Sequence, residues 1–549
     1  LVAYGRAPSI IVTLGMLTAL RGVTELLMGG EWITDLPAGL RMLGTGALLG
    51  VPIAIWVAAA VAVGAMLLAR CTALGLRIYA AGSNAHAARL AGLSRRRIVV
   101  FVFGLSGLLA AVATLVEAPQ LAVIEQGFGA GRELLVVTCV VVGGAAIRGG
   151  VGTIPGTLLG VLLLSMVRTV LVFLPAALSD TSWPGRVLGA PEMLTYWERA
   201  IQGAFILAAV LIDHLAQRGR AFESAAGSPM TRPLLGFAYW HEIGLALLVV
   251  PLLMLAGRLD PAFLRGATQV ELLSHSYELA LVALPMTLIV ITAGIDLSVG
   301  ATMALASVVL GLAYEAGAPL WAAGLLAVAT GAAAGALNGA FVAWIRVHPL
   351  IVTLATYAAY RGIAEGISLG RPISGFPESL GRLADGTVSI PGVGDVPVPA
   401  VILFVAVIVA MLVLGRTTLG RALYAIGSNE TCCRYSGIAV DRIKLGLYTV
   451  SGLAAGFAAV LFAARRNTAK ADVGAGLELD VITAVVLGGT SVFGGRGTIV
   501  GTLLGVLLIH ETREFVSWHW QREELIAIVI GALLIASVLF GAVLSRRRE

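Results

Sequence analysis

The chain has 549 residues, of which 58% are hydrophobic and only 12% charged, and its mean hydropathy is +0.94. A typical soluble domain carries about 25% charged residues, so a water-facing surface of this size is excluded and the solvent of the chain is largely lipid. The net charge of +6 does not indicate nucleic acid, because the basic residues gather in short loops without interleaved aromatics.

Taken in order, the chain begins at Leu1 and enters an apolar span at once, with no basic leader ahead of it. Runs apolar enough to cross or enter a bilayer predict about six helices in the first part, near 9–29, 45–69, 98–118, 134–146, 152–172 and 198–216. A polar, small-residue and proline-containing stretch, Arg218 to Tyr239, follows as an inter-domain joint. About ten more helices are predicted near 243–257, 275–294, 300–315, 320–344, 350–370, 399–415, 445–463, 480–492, 498–512 and 524–542. Several are shorter than a full crossing and are expected to be tilted, half-crossing or re-entrant. The fold expected is therefore all-α, a polytopic transmembrane bundle.

Arg70, Arg77, Arg89 and Arg95–Arg97, and later Arg416, Arg421, Arg434, Arg442 and Lys444, mark loops on the cytoplasmic side. Arg218, Arg220, Arg232 and Arg546–Arg548 put the joint and the C-terminus on that side too. The longer loops 30–43, 175–197 and 370–399 then face outward, with Trp183, Trp197, Trp518 and Trp520 at interfacial positions. Arg465, Arg466 and Lys470 fall on the outward side and break the pattern.

The chain is internally duplicated. Gly129–Gly160 and Gly474–Gly505 share 21 of 32 aligned residues without a gap, at an offset of 345. Upstream, Leu1–Gly22 matches Phe341–Gly362 at an offset of 340. Units this large are duplicated membrane domains rather than solenoid repeats. The expected organisation is a first copy at 1–217, a cytoplasmic linker at 218–241 and a second, complete copy at 242–549. The second copy has about a hundred residues before the matched start, so the first copy reads as N-terminally truncated.

Three motifs stand out. Gly82–Gly92 (GSNAHAARLAG) returns as Gly427–Gly437 (GSNETCCRYSG). Ser or Asn can cap a short helix and Gly can close it in the left-handed region. The segment is either a capped connector or a rigid knob that enters a cleft on a partner. Retention of Gly82, Asn84, Arg89 and Gly92 as Gly427, Asn429, Arg434 and Gly437 favours the knob. The second motif carries Gly143, Gly144, Gly149 and Gly152, repeated as Gly488, Gly489, Gly494 and Gly497, and reads as helix packing and turning. The third, GIDLSVG at Gly294–Gly300, interrupts an apolar run. Asp296 either lines a path at membrane depth or caps the next helix with Ser298 in its first turn. Asn338, Thr13 and Thr353 are weaker path candidates.

No catalytic triad, acid pair or metal-ligand spacing is present, and Cys71, Cys139, Cys432 and Cys433 form no CxxC. The two lysines, Lys444 and Lys470, follow no phosphate-loop glycine. The chain is expected to be no enzyme, to hold no cofactor or metal, and to leave any ATP to another subunit.

GIDLSVG at 294–300, LNGAFVAW at 337–344, HPLIVTLAT at 348–356, LYAIGSNETCCRYSGI at 423–438 and the glycine segment 477–505 resemble the inner-membrane permeases of ATP-binding-cassette sugar importers, in their ribose/rhamnose/galactose-type branch. That resemblance implies two cytoplasmic ATPase subunits, a periplasmic or extracellular sugar-binding protein and the bilayer as partners. It also implies ATPase contact at 82–92 and 427–437. The family usually carries one copy per chain, so here one polypeptide could supply the pair, or it could pair with another permease chain. The alternatives are an ATP-independent secondary transporter or channel, and a fusion in which only the second copy works.

Overall fold

The computed structural model describes residues 1–5, 9–146, 149–177, 249–391, 394–520 and 524–533, with 197, 199–201, 203, 204, 206–208, 522 and 535. The joint at 218–241, Trp183 and Arg546–Arg548 lie outside the described residues. The molecule is helical, with three short two-stranded pairings among the described residues. It divides into two compact units, 1–167 with 523–549, and 168–522.

The first unit contains α1 (Ser9–Met28), α2 (Ile53–Cys71), α3 (Ala73–Ser83), α4 (Ala85–Leu90), α5 (Arg95–Glu117) and α6 (Arg132–Val142). α7 (Ile154–Ala177) follows. The second unit contains α8 (Tyr277–Ile291), α9 (Val299–Glu315), α10 (Leu320–Ala340), α11 (Pro349–Ser368) and α12 (Val398–Arg416). It continues with α13 (Thr418–Ser428), α14 (Glu430–Tyr435), α15 (Val440–Arg466), α16 (Leu477–Leu487) and α17 (Ile499–Trp520).

Among the described residues, six helical stretches are long and apolar enough to cross a membrane: 53–71, 95–120, 268–291, 320–345, 398–416 and 440–466. Some of the other predicted spans are shorter. α16 has 11 residues, about 16 Å at 1.5 Å per residue, and it enters from a loop that ends at Gly476 in the left-handed region. Such elements need protein neighbours to satisfy their ends, and α16 has them: the chain turns at Gly488 directly into a crossing with α17.

In the second unit, α8 and α15 form the centre. Every residue of α8 is buried, because its faces meet protein all round and its sequence is apolar on all sides. α10 crosses α15 on small residues. A Cβ at Gly335 would strike the Tyr448 carbonyl, and one at Gly331 the Gly452 carbonyl. Backbones this close are the means by which membrane helices gain dispersion contact without a hydrophobic driving force. α12, with Phe404 65% exposed, presents its apolar surface outward, as a lipid-facing helix should.

The units do not follow the sequence copies. In the first unit, the second copy's last helix, Glu524–Leu533, packs on α1, with Gly531 against Gly15 and Ala19 and Gly22 against Glu524 and Ile528. In the second unit, the first copy's last helix, Arg199–Ala208, packs on α11, with Gly203 against Ala355 and Ala359 and Gly362 against Ala200. Positions 15, 19 and 22 correspond to 355, 359 and 362, so the two packings are the same packing made twice. Each unit holds the closing helix of the other copy.

The basic residues that broke the charge pattern are accounted for in part. Arg465 donates to Glu278 at 2.9 Å, and Lys470 to Asp472 at 3.0 Å.

Candidate functional site

The short helices α4 and α14 are built alike. α2 ends at Thr72 and α12 at Thr417, whose hydroxyls each accept from the backbone N–H three residues on, Gly75 and Gly420, both at 3.1 Å. That cap turns the chain into α3 and α13. These end at Asn84 and Asn429, both extended at φ −150°, ψ 99° and φ −159°, ψ 95°. Asn84 Oδ1 accepts from His86 N at 3.0 Å and Ala87 N at 2.9 Å, and Asn429 Oδ1 from Cys432 N at 2.9 Å. Asparagine rather than serine is therefore the cap. Gly92 and Gly437 close the helices, each at φ +79°, the left-handed conformation that glycine adopts without a Cβ penalty.

Sequence reasoning missed the tips. Leu90 is 79% exposed and Tyr435 90% exposed, at matched positions of the two helices. An exposed tyrosine one residue from an arginine, as at Tyr435 and Arg434, pairs two residue types that anchor protein interfaces. The signal was present: both copies keep a large apolar residue there on an otherwise small and polar helix.

The glycine motif is the seat of this device. Tyr79 donates its hydroxyl to Gly152 O at 2.9 Å, and Tyr424 to Gly497 O at 2.7 Å. Gly82 lies on the backbone of Gly149 and Gly150, and Gly427 on Gly495 and Ile291. Gly144, Gly149, Gly489 and Gly494 take φ between 83° and 89°, which makes the turn that receives the arm. Gly143 and Gly488 do the packing part, each touching the next helix at Gly156 and Gly501. The two motifs thus meet in both copies, through Tyr79 and Tyr424, which the sequence reading did not single out.

The third motif lies in the interior of the second unit. α8 ends with Ala293 at φ +61°, and the chain re-enters helix at Val299. Asp296, 1% exposed, accepts on Oδ1 from Ser298 N at 3.0 Å and Ser298 Oγ at 2.7 Å. Its Oδ2 accepts from Ser451 Oγ at 3.1 Å. Asn338 Nδ2 donates to Ser298 Oγ at 2.7 Å, and Tyr360 OH to Asn338 Oδ1 at 3.3 Å. Thr353 and Tyr448 each donate to Ile295 O at 3.4 Å. Asp296, Ser298, Asn338 and Thr353 are therefore brought together, with Ser451, Tyr360 and Tyr448 added. Asp296 closes the turn that starts α9, and it is also an ionisable group inside the bundle. Thr13 lies on α1 in the first unit, where it donates to Ser9 O at 2.9 Å, a bond common for a helical threonine.

A family model described as "Branched-chain amino acid transport system / permease component" matches residues 1–210 and again 269–538. The chain is also similar to the autoinducer 2 import system permease protein LsrD of Escherichia coli strain K12, at 32% identity over 57% of this chain and 94% of the relative. LsrD of Shigella flexneri matches to the same extent. No solved structure matches. The chain is thus a multi-pass membrane protein and a transport component, and it belongs to the family of these permease components, which it carries twice.

Proposed function

We propose that the chain is a fused double permease of an ATP-driven importer for a monosaccharide, such as a pentose, hexose or deoxyhexose, in the cytoplasmic membrane, with its C-terminus cytoplasmic. One observation carries this reading: an Asn-capped helix with an exposed apolar tip, tied through a tyrosine to a glycine turn, is built twice from diverged sequence. Two such devices suit two cytoplasmic ATPase subunits. ATPase closure on nucleotide would push each tip, and the tyrosine tie would pass that movement to the crossing of α6 with α7, and of α16 with α17. The cavity would alternate between inward- and outward-facing states. A separate periplasmic or extracellular binding protein would supply most of the sugar affinity. The named activity of the relatives, import, supports the direction of transport. The matched exchange of closing helices supports one polypeptide supplying both halves. The Asp296 cluster is proposed to hold the broken helix at membrane depth beside the path.

The test is co-purification of the full chain with its ATPase and measurement of ATP hydrolysis in liposomes. Hydrolysis that responds to a sugar-loaded binding protein, and is uncoupled by Arg89→Glu and Arg434→Glu, supports the importer. No ATPase association would leave a channel or secondary carrier as the better reading.

A further inference from the structure

α4 and α14 share a backbone but not a charge balance. In the second copy, Arg434 donates to Glu430 at 2.8 Å and to Asp441 at 2.5 Å, and Lys444 to Glu430 at 2.6 Å. Arg346 stands 4.0 Å from Asp441. There Arg434 and Lys444 are paired within the copy, while Arg421 and Arg442 stay exposed. At the offset of 345, the first copy has Ala85 for Glu430, Arg96 for Asp441 and Val99 for Lys444. Arg89, the counterpart of Arg434, has lost both carboxylates, and one of them has become another arginine. From Leu36 to Val116 the first copy contains no Asp or Glu at all. Arg77, Arg89, Arg95, Arg96 and Arg97 are all exposed, as is Leu90, and Arg96 lies over the Tyr4 ring at 5.7 Å.

We propose that α4 docks into an acidic cleft of its cytoplasmic ATPase partner, whose carboxylates take the positions beside Arg89 and Arg96 that Glu430 and Asp441 take within the second copy. The Tyr435 tip of α14 docks by contrast into a less acidic cleft, so the two ATPase surfaces are unlike. This inference rests on the importer reading above. An acidic protein cleft fits better than anionic lipid, because the equivalent connector of the second copy carries two carboxylates, Glu430 on α14 and Asp441 on α15. A device held against anionic headgroups would not.

The test uses the full chain in nanodiscs of phosphatidylcholine, which remove anionic headgroups, with its purified ATPase. Binding is read at 50 and 500 mM KCl by mass photometry, which counts ATPases per chain. The parent is expected to hold two ATPases at low salt and one at high salt, the weaker site losing about tenfold in affinity through screening. Ala85→Glu with Arg96→Asp, which installs the second copy's own network around Arg89, should hold one ATPase at both salts. Tyr435→Ala should leave only the salt-sensitive site. An unchanged melting temperature of the double variant separates lost docking from lost folding. Equal salt dependence at both sites would overturn the proposal, as would an effect of the double variant that appears only when phosphatidylglycerol is added. No ATPase at any salt would sink the importer reading itself and this inference with it.

Discussion

The Tyr424 hydroxyl donates to the Gly497 carbonyl at 2.7 Å, and the pair ties α13 to the glycine turn 73 residues further on. Tyr79 and Gly152 repeat it at 2.9 Å. Removing a hydrogen bond of this kind costs about 0.5–1.5 kcal/mol. Tyr424→Phe should fold, bind ATPase and hydrolyse ATP, while sugar uptake per ATP falls several-fold. Uptake and hydrolysis falling together would mean that the tie only stabilises.

Gly427 and Gly437 should fail for different reasons. A Cβ at Gly427 would run into the Ile291 carbonyl and the Gly495 N–H, which are backbone and cannot rotate away. Gly427→Ala is expected to abolish stable expression. Gly437 has open space around it but sits at φ +79°, so Gly437→Ala should lose only about 1–2 kcal/mol. Fluorescence-detected size exclusion after heating distinguishes the two.

Asp296 holds Ser298 and Ser451, and Asn338 is held through Ser298. Asp296→Ala strands buried donors at about 1–3 kcal/mol each and should prevent accumulation in the membrane. Asp296→Asn keeps an acceptor oxygen and should accumulate. Uptake by the Asn variant at parental rate would reduce Asp296 to a helix-start residue; lost uptake in a stable protein would place its charge in the transport cycle.

Arg465 and Glu278 form a pair with side-chain exposures of 19% and 8%. Removing one partner of a buried pair leaves the other charge unpaired, at about 3–5 kcal/mol. Arg465→Ala should therefore lower the melting temperature sharply, and Arg465→Ala with Glu278→Gln should recover most of it. No recovery in the double variant would show that Arg465 acts through packing.

At Glu430, partial burial raises the carboxyl, but the hydrogen bonds and charges of Lys444 and Arg434 outweigh it and hold the group below the ordinary carboxylate value. A depressed carboxylate contributes stability that is present above its unfolded pKa, about 4.3, and lost as pH falls through the folded value. Hydrogen-exchange protection factors at 430–435, corrected for the intrinsic pH dependence of amide exchange, should therefore be flat from pH 8 to 5 and fall below about pH 4. Segment 85–90, with Ala85 in place of the acid, should show no such fall.

Lipid as solvent, the duplication, the caps and the break at Asp296 were legible in the chain because each is a local matter. Apolar run length, glycine where φ must be positive and asparagine before a short helix act within a few residues of themselves. The partners were not legible. Tyr424 and Gly497 lie 73 residues apart, Ser451 and Asp296 155 apart, and Arg465 and Glu278 187 apart. The same limit hid the closing helices: Glu524–Leu533 and Arg199–Ala208 are plain apolar helices in sequence. Nothing local says on which copy's glycines they pack. Thr13 and Thr353 shows this from the other side. They occupy matched positions, yet Thr13 donates to Ser9 O within its own helix, while Thr353 also donates to Ile295 O, 58 residues away. Residue type, spacing and repeat settled what each segment could become, since those depend on backbone propensity and burial. Packing alone settled which segments meet, since close approach of distant backbones depends on the whole bundle being assembled.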